Sequence, residues 1–296
     1  MDGILGVTYR CNARCVMCNT WQHPSDRKAE VHAEDLTTLP NLVRLNVTGG
    51  EPFLREDLGE ILDVVRPKCK RVVISSNGFL TERIVRVLGE RPDVGIRISI
   101  DGRAAVHEEI RGIKGGFGRA WTTVRELKDM GLKDLGIAVT VGDRNAEELV
   151  PVYHLACEEG VELATGILHN AFYFHKEDNR IDDPTRVRRG LQGLIAEYLK
   201  SRHPKDWFRA YFTQGLVNHM RGCRRELRCT MGTDSFFIDP LGDMHPCNVL
   251  EARMGNIKKA PFAEIWHNPK AQDVRQQVAA CERNCWMIGS VGHLMR

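Results

Sequence analysis

The sequence predicts an α/β fold: a partial (β/α)6 TIM-like barrel followed by a small C-terminal β-hairpin and helix domain. Three observations lead there. Short β-rich apolar runs alternate with helix-period stretches through the first half of the 296 residues. A polar turn motif follows every one of those runs, as on the rim of parallel-strand barrels where chemistry is placed. Beyond residue 220 cysteine density rises, with five of the ten cysteines at 223, 229, 247, 281 and 285.

The expected strands cover 4–9, 43–47, 71–75, 95–100, 136–141 and 161–168, and helices cover 57–65, 81–88, 121–130 and 146–159. Such alternation requires a parallel sheet with crossover helices, closed or partly closed. Two more helices are expected over 184–201 and 205–220, so the chain divides into 1–220 and 221–296. The stretch FFIDPLGDMHPC then reads as a hairpin turned by Asp239-Pro240-Leu241-Gly242.

Composition narrows the function classes. Lys and Arg total 42 against 39 Asp and Glu, a formal net charge of +3 that is too balanced for a nucleic-acid partner. The short basic clusters RVRR (186–189) and RR (224–225) read as solvated surface. The N-terminus lacks a basic n-region and cleavage pattern, and no apolar run is long enough to cross a bilayer, so a cytoplasmic protein with no membrane partner is expected. Cysteines in such a chain point to metal or catalysis rather than disulfides.

The turn motifs are CNARCVMC after the first strand, Thr48-Gly49-Gly50-Glu51 after the second, Ser75-Ser76-Asn77-Gly78 after the third and Ser99-Ile100-Asp101-Gly102 after the fourth. Thr140 and Asn145 follow the fifth, and His169-Asn170 the sixth. Singly, each is what a strand-to-helix turn uses for backbone geometry and capping. Six on one rim mark a single mouth. KGGFG (114–118) follows no strand directly and lacks the phosphate-loop pattern, so it reads as a loop into a helix.

Cys11, Cys15 and Cys18 of CNARCVMC supply three thiolates where a closed tetrahedral site wants four. Three suit three irons of a 4Fe-4S cluster, leaving the fourth iron open to an exogenous ligand. A zinc site is the alternative and would need Cys69 or His23 as its fourth ligand.

CNARCVMC after the first strand resembles the CxxxCxxC motif of the radical S-adenosylmethionine (SAM) enzymes. The resemblance implies a 4Fe-4S cluster whose free iron chelates SAM and whose electron splits the sulfonium to a 5'-deoxyadenosyl radical. It implies further that Gly49, Gly50 and Glu51 contact the methionyl amine, and that Ser75 and Asn77 contact the ribose. Ser99 and Asp101 match the strand-four motif, Arg111 meets the SAM carboxylate, and Met17 packs on adenine where the family usually has an aromatic. Physically, a zwitterion needs a carboxylate such as Glu51 for its ammonium and a cation such as Arg111 for its carboxylate.

The C-terminal part resembles the twitch domain, a shortened SPASM extension of the same enzymes, through the IDPxG turn, the PC dipeptide, Gly255-Asn256-Ile257 and Ile265-Trp266. It implies a second 4Fe-4S cluster on Cys229, Cys247, Cys281 and Cys285, with a zinc ribbon as the alternative. Cys223 is left over as surface, alternative ligand or hydrogen donor that quenches a substrate radical. Cys69 and Cys157 read as buried apolar thiols. His169, Asn170, Tyr173 and His175 read either as lining a substrate cavity or as a polar surface loop.

The expected function is therefore that of a radical SAM oxidoreductase with two 4Fe-4S clusters and SAM, dehydrogenating a small polar sugar-like or aminocyclitol molecule. Epimerisation of such a molecule, or crosslinking or epimerisation of a precursor peptide, are the alternatives, and a zinc-binding scaffold is the non-enzymatic one. The start at strand one, with no leader-binding segment before it, favours the small substrate. The resemblance also implies a flavodoxin- or ferredoxin-type electron donor.

Overall fold

The computed structural model describes residues 1–291. Among them, nine strands form one sheet in the order β6-β5-β4-β3-β2-β1-β7-β8-β9. The first six are β1 (Asp2–Gly6), β2 (Leu42–Thr48), β3 (Cys69–Ser76), β4 (Gly95–Ser99), β5 (Leu135–Val141) and β6 (Glu162–Ile167), and each runs parallel to its neighbour. The sheet stays open, because β6 and β1 each lie next to a different neighbour and never meet. All six C-terminal ends consequently lie on one rim. The expected first strand stops pairing early; Val7 continues it with one bond, its N–H donating to Thr48 O at 2.8 Å.

Apolar residues fill both faces of the strands, as a parallel sheet covered by crossover helices requires: Leu45, Ile74, Ile96, Ile98 and Ile137 are wholly buried. The covering helices are α1 (Leu58–Val65), α2 (Thr81–Gly89), α3 (Ala104–Arg111), α4 (Gly116–Asp129) and α5 (Leu149–Glu159). Helix α3 was not foreseen, because its eight residues AAVHEEIR are half polar and bury only His107 and Ile110. Helix α4 starts inside KGGFG at Gly116, in keeping with a loop into a helix. Cys157, expected inside, is exposed on α5, directly beside the buried Ala156.

Helices α6 (Pro184–Lys200) and α7 (Pro204–Met220) pair against the β6 side, each begun by a proline whose missing N–H costs nothing in the first turn. The hairpin strands β7 (Ser235–Ile238) and β8 (Asp243–His245) follow, then β9 (Gly255–Asn256). The turn is held by Asp239, whose Oδ1 accepts the N–H groups of Leu241 at 2.9 Å and Asp243 at 2.8 Å. Rather than standing apart, β7 joins the barrel sheet in parallel beside β1, with Gly3 opposite Phe236. Helices α8 (Phe262–His267) and α9 (Pro269–Ala279) pack on this end, Phe236 meeting Phe262 at 4.9 Å between ring centroids. A short α10 (Ile288–Val291) ends the described chain. No described helix is long and apolar enough to cross a membrane.

Candidate active site on the strand rim

The loop carrying Cys11, Cys15 and Cys18 is fastened on three sides. Its Arg14 and Val16 N–H groups donate to Arg111 O at 3.0 Å and Ile110 O at 2.9 Å, at the end of α3. Gly112 makes this approach possible, because a Cβ there would lie 2.5 Å from Arg14 O. On the β3 side, Asn77 Nδ2 donates to Asn12 Oδ1 at 2.7 Å. On the β6 side, Asn19 N–H donates to Phe174 O at 2.8 Å and Asn179 Nδ2 donates to Met17 O at 3.0 Å. An eight-residue loop without regular structure is thus given one shape by the elements around it.

The three thiols are half-buried and sense one another. Burial pushes Cys11 up to about 12, and the neighbouring Glu51, Cys15 and Cys18 push the same way. Cys15 is also raised by burial, against the pull of Arg111, whose Nη1 donates to its Sγ at 3.7 Å. Three crowded thiols of this kind ionise when a metal centre supplies positive charge. In donor chemistry they therefore fit an iron–sulfur cluster, which Cys11, Cys15 and Cys18 would hold. Of the candidate fourth ligands for zinc, Cys69 opens β3 while Ser76 closes it on the rim, putting the two about 23 Å apart. His23 is exposed, its ring 4.6 Å from that of His175.

Around the trio, the turn after β2 lies directly on the backbone that precedes Cys11. Gly50 N–H donates to Thr8 O at 2.7 Å and Glu51 N–H to Arg10 O at 2.8 Å, and a Cβ on Gly50 would stand 2.2 Å from Arg10 O. A Cβ on Gly49 would likewise stand 2.7 Å from Thr8 O. Glu51 is fully buried, and its carboxylate accepts Phe53 N–H at 3.2 Å, Ser76 Oγ at 2.9 Å and Asn77 N–H at 2.8 Å. Burial pushes it up to about 7, against the pull of those donors. The sequence reading offered this carboxylate to a ligand ammonium; the structure instead commits it to joining the β2 and β3 turns. Asn77 is likewise engaged, while Ser75 Oγ reaches Asn46 Oδ1 at 3.1 Å and remains half-buried, as do Ser99 and Met17.

At the β4 end, Asp101 is fully buried and its Oδ2 accepts Arg111 Nε at 2.5 Å. Burial works against the Arg111 charge, but Asp101 and Cys15 outweigh it and keep the guanidinium firmly protonated. Asp101 Oδ1 takes Thr140 N–H at 2.9 Å, and Asn145 Nδ2 donates to Asp101 O at 2.9 Å. Asn12 and the α3 carbonyls are partners that sequence reasoning missed; Asn12 stands inside the cysteine motif itself, whereas the α3 contact had no signal without the helix.

Past β6, the four expected substrate residues separate. Asn170 is used locally, exchanging bonds with the Asn179 backbone at 2.8 and 3.0 Å. His169 Nδ1 sits 2.9 Å from Ile167 O with Nε2 buried and unpartnered, and Tyr173 is buried among Tyr9 and Phe237. His175 is exposed in a left-handed conformation, φ 49°, beside the rings of Tyr9 and His23.

The second group of thiols forms where the hairpin meets the chain's last described turn. Cys247 is buried with Met231 and Val249, and Cys229 and Cys285 pack on the same cluster. Burial raises Cys247 to about 11, with Cys285 and Cys229 adding to it, while Cys285 is raised by burial and then by Cys281 and Cys229. Three of the thiols thus pack together, and Cys281, exposed on the same CERNC segment, adjoins Cys285. Cys223 stays outside it, exposed in a separate cleft with Gln214, Asn218, Asn284 and Trp286.

An open parallel barrel with a three-cysteine loop on its rim, a buried Arg–Asp pair behind it and a second cysteine cluster defines an iron–sulfur enzyme that leaves one metal position to a cosubstrate. The chain belongs to the radical SAM superfamily, whose model matches residues 5–156, and an iron-sulfur cluster-binding domain matches 229–286. Its cofactors are accordingly SAM and 4Fe-4S clusters, which closes the zinc alternatives. It is 30% identical over 305 residues to the pre-heme d1 synthase of Dinoroseobacter shibae, covering 90% of this chain and 73% of that one. It is 26% identical to the antilisterial bacteriocin subtilosin biosynthesis protein AlbA of Bacillus subtilis, covering 92% and 61%. The structure of native anSMEcpe with bound AdoMet and Kp18Cys peptide superposes with a TM-score of 0.70 at 18% identity, covering 96% and 87%.

Proposed function

We propose that the protein is a radical SAM oxidoreductase that reductively cleaves SAM and uses the 5'-deoxyadenosyl radical to dehydrogenate a carboxylated tetrapyrrole. The observation that carries the radical SAM part is the Cys11–Cys15–Cys18 trio with Arg111 on Cys15, at the point where six strand ends converge. When bound, the cluster on the trio supplies the electron that splits the sulfonium. Arg111 orients the SAM carboxylate, and Gly49 and Gly50 admit the methionyl amine to their backbone. Ser75 and Ser99 face the ribose, Asn77 supports them by holding the cysteine loop through Asn12, and Met17 covers the adenine with a soft thioether. Asp101 and Glu51 act one step back: the first aims Arg111, the second fixes the turns that carry Gly50 and Asn77.

The sugar-like substrate has no counterpart in the relatives above, one named for pre-heme d1 and one for a bacteriocin. The tetrapyrrole comes first because the pre-heme d1 synthase is the more similar, at 30% against 26%, and is matched over more of its length, 73% against 61%. The exposed rings of His23 and His175 beside the trio loop suit contact with a flat macrocycle. Peptide maturation is the second reading, supported by the likeness to AlbA. Oxidation is favoured over radical quenching because a cluster ligated by four cysteines suits electron transfer and because Cys223 is exposed. The division near residue 220 is supported by the second family match beginning at 229.

The test is anaerobic reconstitution with reductant, SAM and either carboxylated iron tetrapyrroles or precursor-type peptides. A macrocycle lighter by two hydrogens with 5'-deoxyadenosine is expected. Turnover of a peptide alone overturns the substrate, and absence of 5'-deoxyadenosine overturns the whole proposal.

A further inference from the structure

The RR cluster that reads as solvated surface in the sequence sits in a larger positive field. Residues 221–228 are RGCRRELR, and Arg221, Arg224 and Arg228 are exposed. Arg283, exposed between Cys281 and Cys285, belongs to the same surface, since its neighbour Asn284 bonds both the Arg225 N–H and the Cys223 carbonyl. Among the described residues, Arg221, Arg224, Arg228 and Arg283 have no carboxylate partner, whereas most arginines on the barrel do. Arg221, Arg224, Arg225, Arg228 and Arg283 stand against only Glu226 and Glu282, so this one patch carries as much positive charge as the +3 of the entire chain. The remaining surface is balanced.

The patch is also held rigidly. Asn284, in a left-handed conformation at φ 53°, accepts Arg225 N–H on its Oδ1 at 2.6 Å, and its carbonyl meets His219 Nδ1 at 2.8 Å. Its Nδ2 donates to Cys223 O. The arginine segment is thereby clamped to the CERNC segment that supplies Cys281 and Cys285. Beside it α7 exposes Tyr211 (41%), which lines one cleft with Arg224 and Arg225 and leans on the buried Trp286 at 6.1 Å. An exposed tyrosine next to unpaired arginines is the composition of a protein-binding hot spot.

We propose that this surface docks a small acidic one-electron carrier protein against the Cys281–Cys285 edge of the second cysteine quartet. The inference rests on the oxidoreductase reading, which requires an outlet for one electron. The count closes: the substrate gives one hydrogen atom to the deoxyadenosyl fragment, then one proton to water and one electron to the oxidised carrier, which leaves reduced; a cluster held by the quartet would supply the relay. The choice of carrier over an acidic peptide or nucleic acid follows from position, because Arg283 lies between the exposed Cys281 and Cys285, and Asn284 clamps the 223–225 segment to that same stretch. Opposite charge raises the encounter rate and fixes orientation.

The test is a binding titration of the full chain with an acidic flavodoxin, read by calorimetry, for the native protein, Arg224→Glu/Arg228→Glu, and the control Arg188→Glu/Arg189→Glu in the other basic cluster. The first variant is expected to bind at least about tenfold more weakly, the control to match the native protein, and binding to fall when salt reaches about 0.5 M. Dithionite-driven SAM cleavage should be unchanged in the first variant. Equal affinity in both variants, or equally tight binding of a polyglutamate peptide or a DNA duplex, overturns the docking assignment. Failure of dithionite-driven cleavage in the native protein would instead count against the enzymatic function, and the titration would still decide the docking.

Discussion

Asp101 Oδ2 accepts the Arg111 Nε–H at 2.5 Å while the same guanidinium donates from Nη1 to Cys15 Sγ at 3.7 Å. One buried ion pair thus ties the end of β4 to the cysteine loop. Because Asp101 also takes Thr140 N–H at 2.9 Å, the pair is fixed from the β5 side as well.

Arg111→Lys keeps the charge but loses the fork that reaches two partners at once. SAM affinity is expected to fall by about 1.5–3 kcal/mol, roughly ten- to a hundredfold, with the iron content unchanged. A SAM titration of the reconstituted variant checks this. Asp101→Asn is expected to be worse for folding, by about 3–5 kcal/mol, because Arg111 is left buried without its counter-charge. Urea denaturation of the metal-free protein measures it.

Glu51→Ala removes the acceptor for Phe53 N–H, Ser76 Oγ and Asn77 N–H together. Stability is expected to drop by about 2–4 kcal/mol as three buried donors lose their partner, with SAM affinity falling as the turns loosen. An unchanged unfolding midpoint in the metal-free variant would show that the carboxylate does not hold the turns.

His107 gives the fold a pH dependence. Its Nδ1 accepts Asp101 N–H at 3.2 Å, so the ring must be neutral there, and burial lowers its pKa from 6.5 to about 4. Between those values the unfolded chain binds a proton that the folded chain does not, so stability falls as pH drops from 6.5 toward 4 and is unaffected by this group above 6.5. The loss is on the order of 3 kcal/mol. Denaturation of native protein and His107→Phe at several pH values should show a shallower slope in the variant; parallel slopes would assign the effect elsewhere.

Much of this was legible in the sequence because period-two runs and the turn residues after them report local geometry. Six strands, four crossover helices and the hairpin at Asp239–Gly242 could be read that way. Helix α3 could not, since its stability comes from packing beside the cysteine loop and not from an apolar stripe. The parallel pairing of β7 with β1 is a contact more than 230 residues apart in sequence, as in Asp2 opposite Ser235, and no local pattern encodes it. Glu51 shows the other limit: the motif revealed that a carboxylate belongs there, but only the β3 turn beside it reveals where that carboxylate points. The arginines at 224 and 225 looked like ordinary surface until Arg283 arrived beside them through Asn284.

Cys223 separates oxidation from radical quenching. Product formed in heavy water is expected to carry no deuterium at carbon, in the native protein and in Cys223→Ala alike, because the exposed thiol lies in a separate cleft lined by α7 and the CERNC segment. Carbon-bound deuterium that disappears in the variant would make Cys223 the hydrogen donor.

The most direct measurement takes the native protein and the triple variant Cys11→Ala/Cys15→Ala/Cys18→Ala through the same anaerobic reconstitution, counting iron and 5'-deoxyadenosine after reduction with SAM present. The native protein is expected to bind about eight irons and to form 5'-deoxyadenosine, and the variant to keep about half the iron on Cys229, Cys247, Cys281 and Cys285 and form none. A variant that still cleaves SAM, or that holds no iron at all, would contradict the assignment of the trio as the SAM-cleaving site.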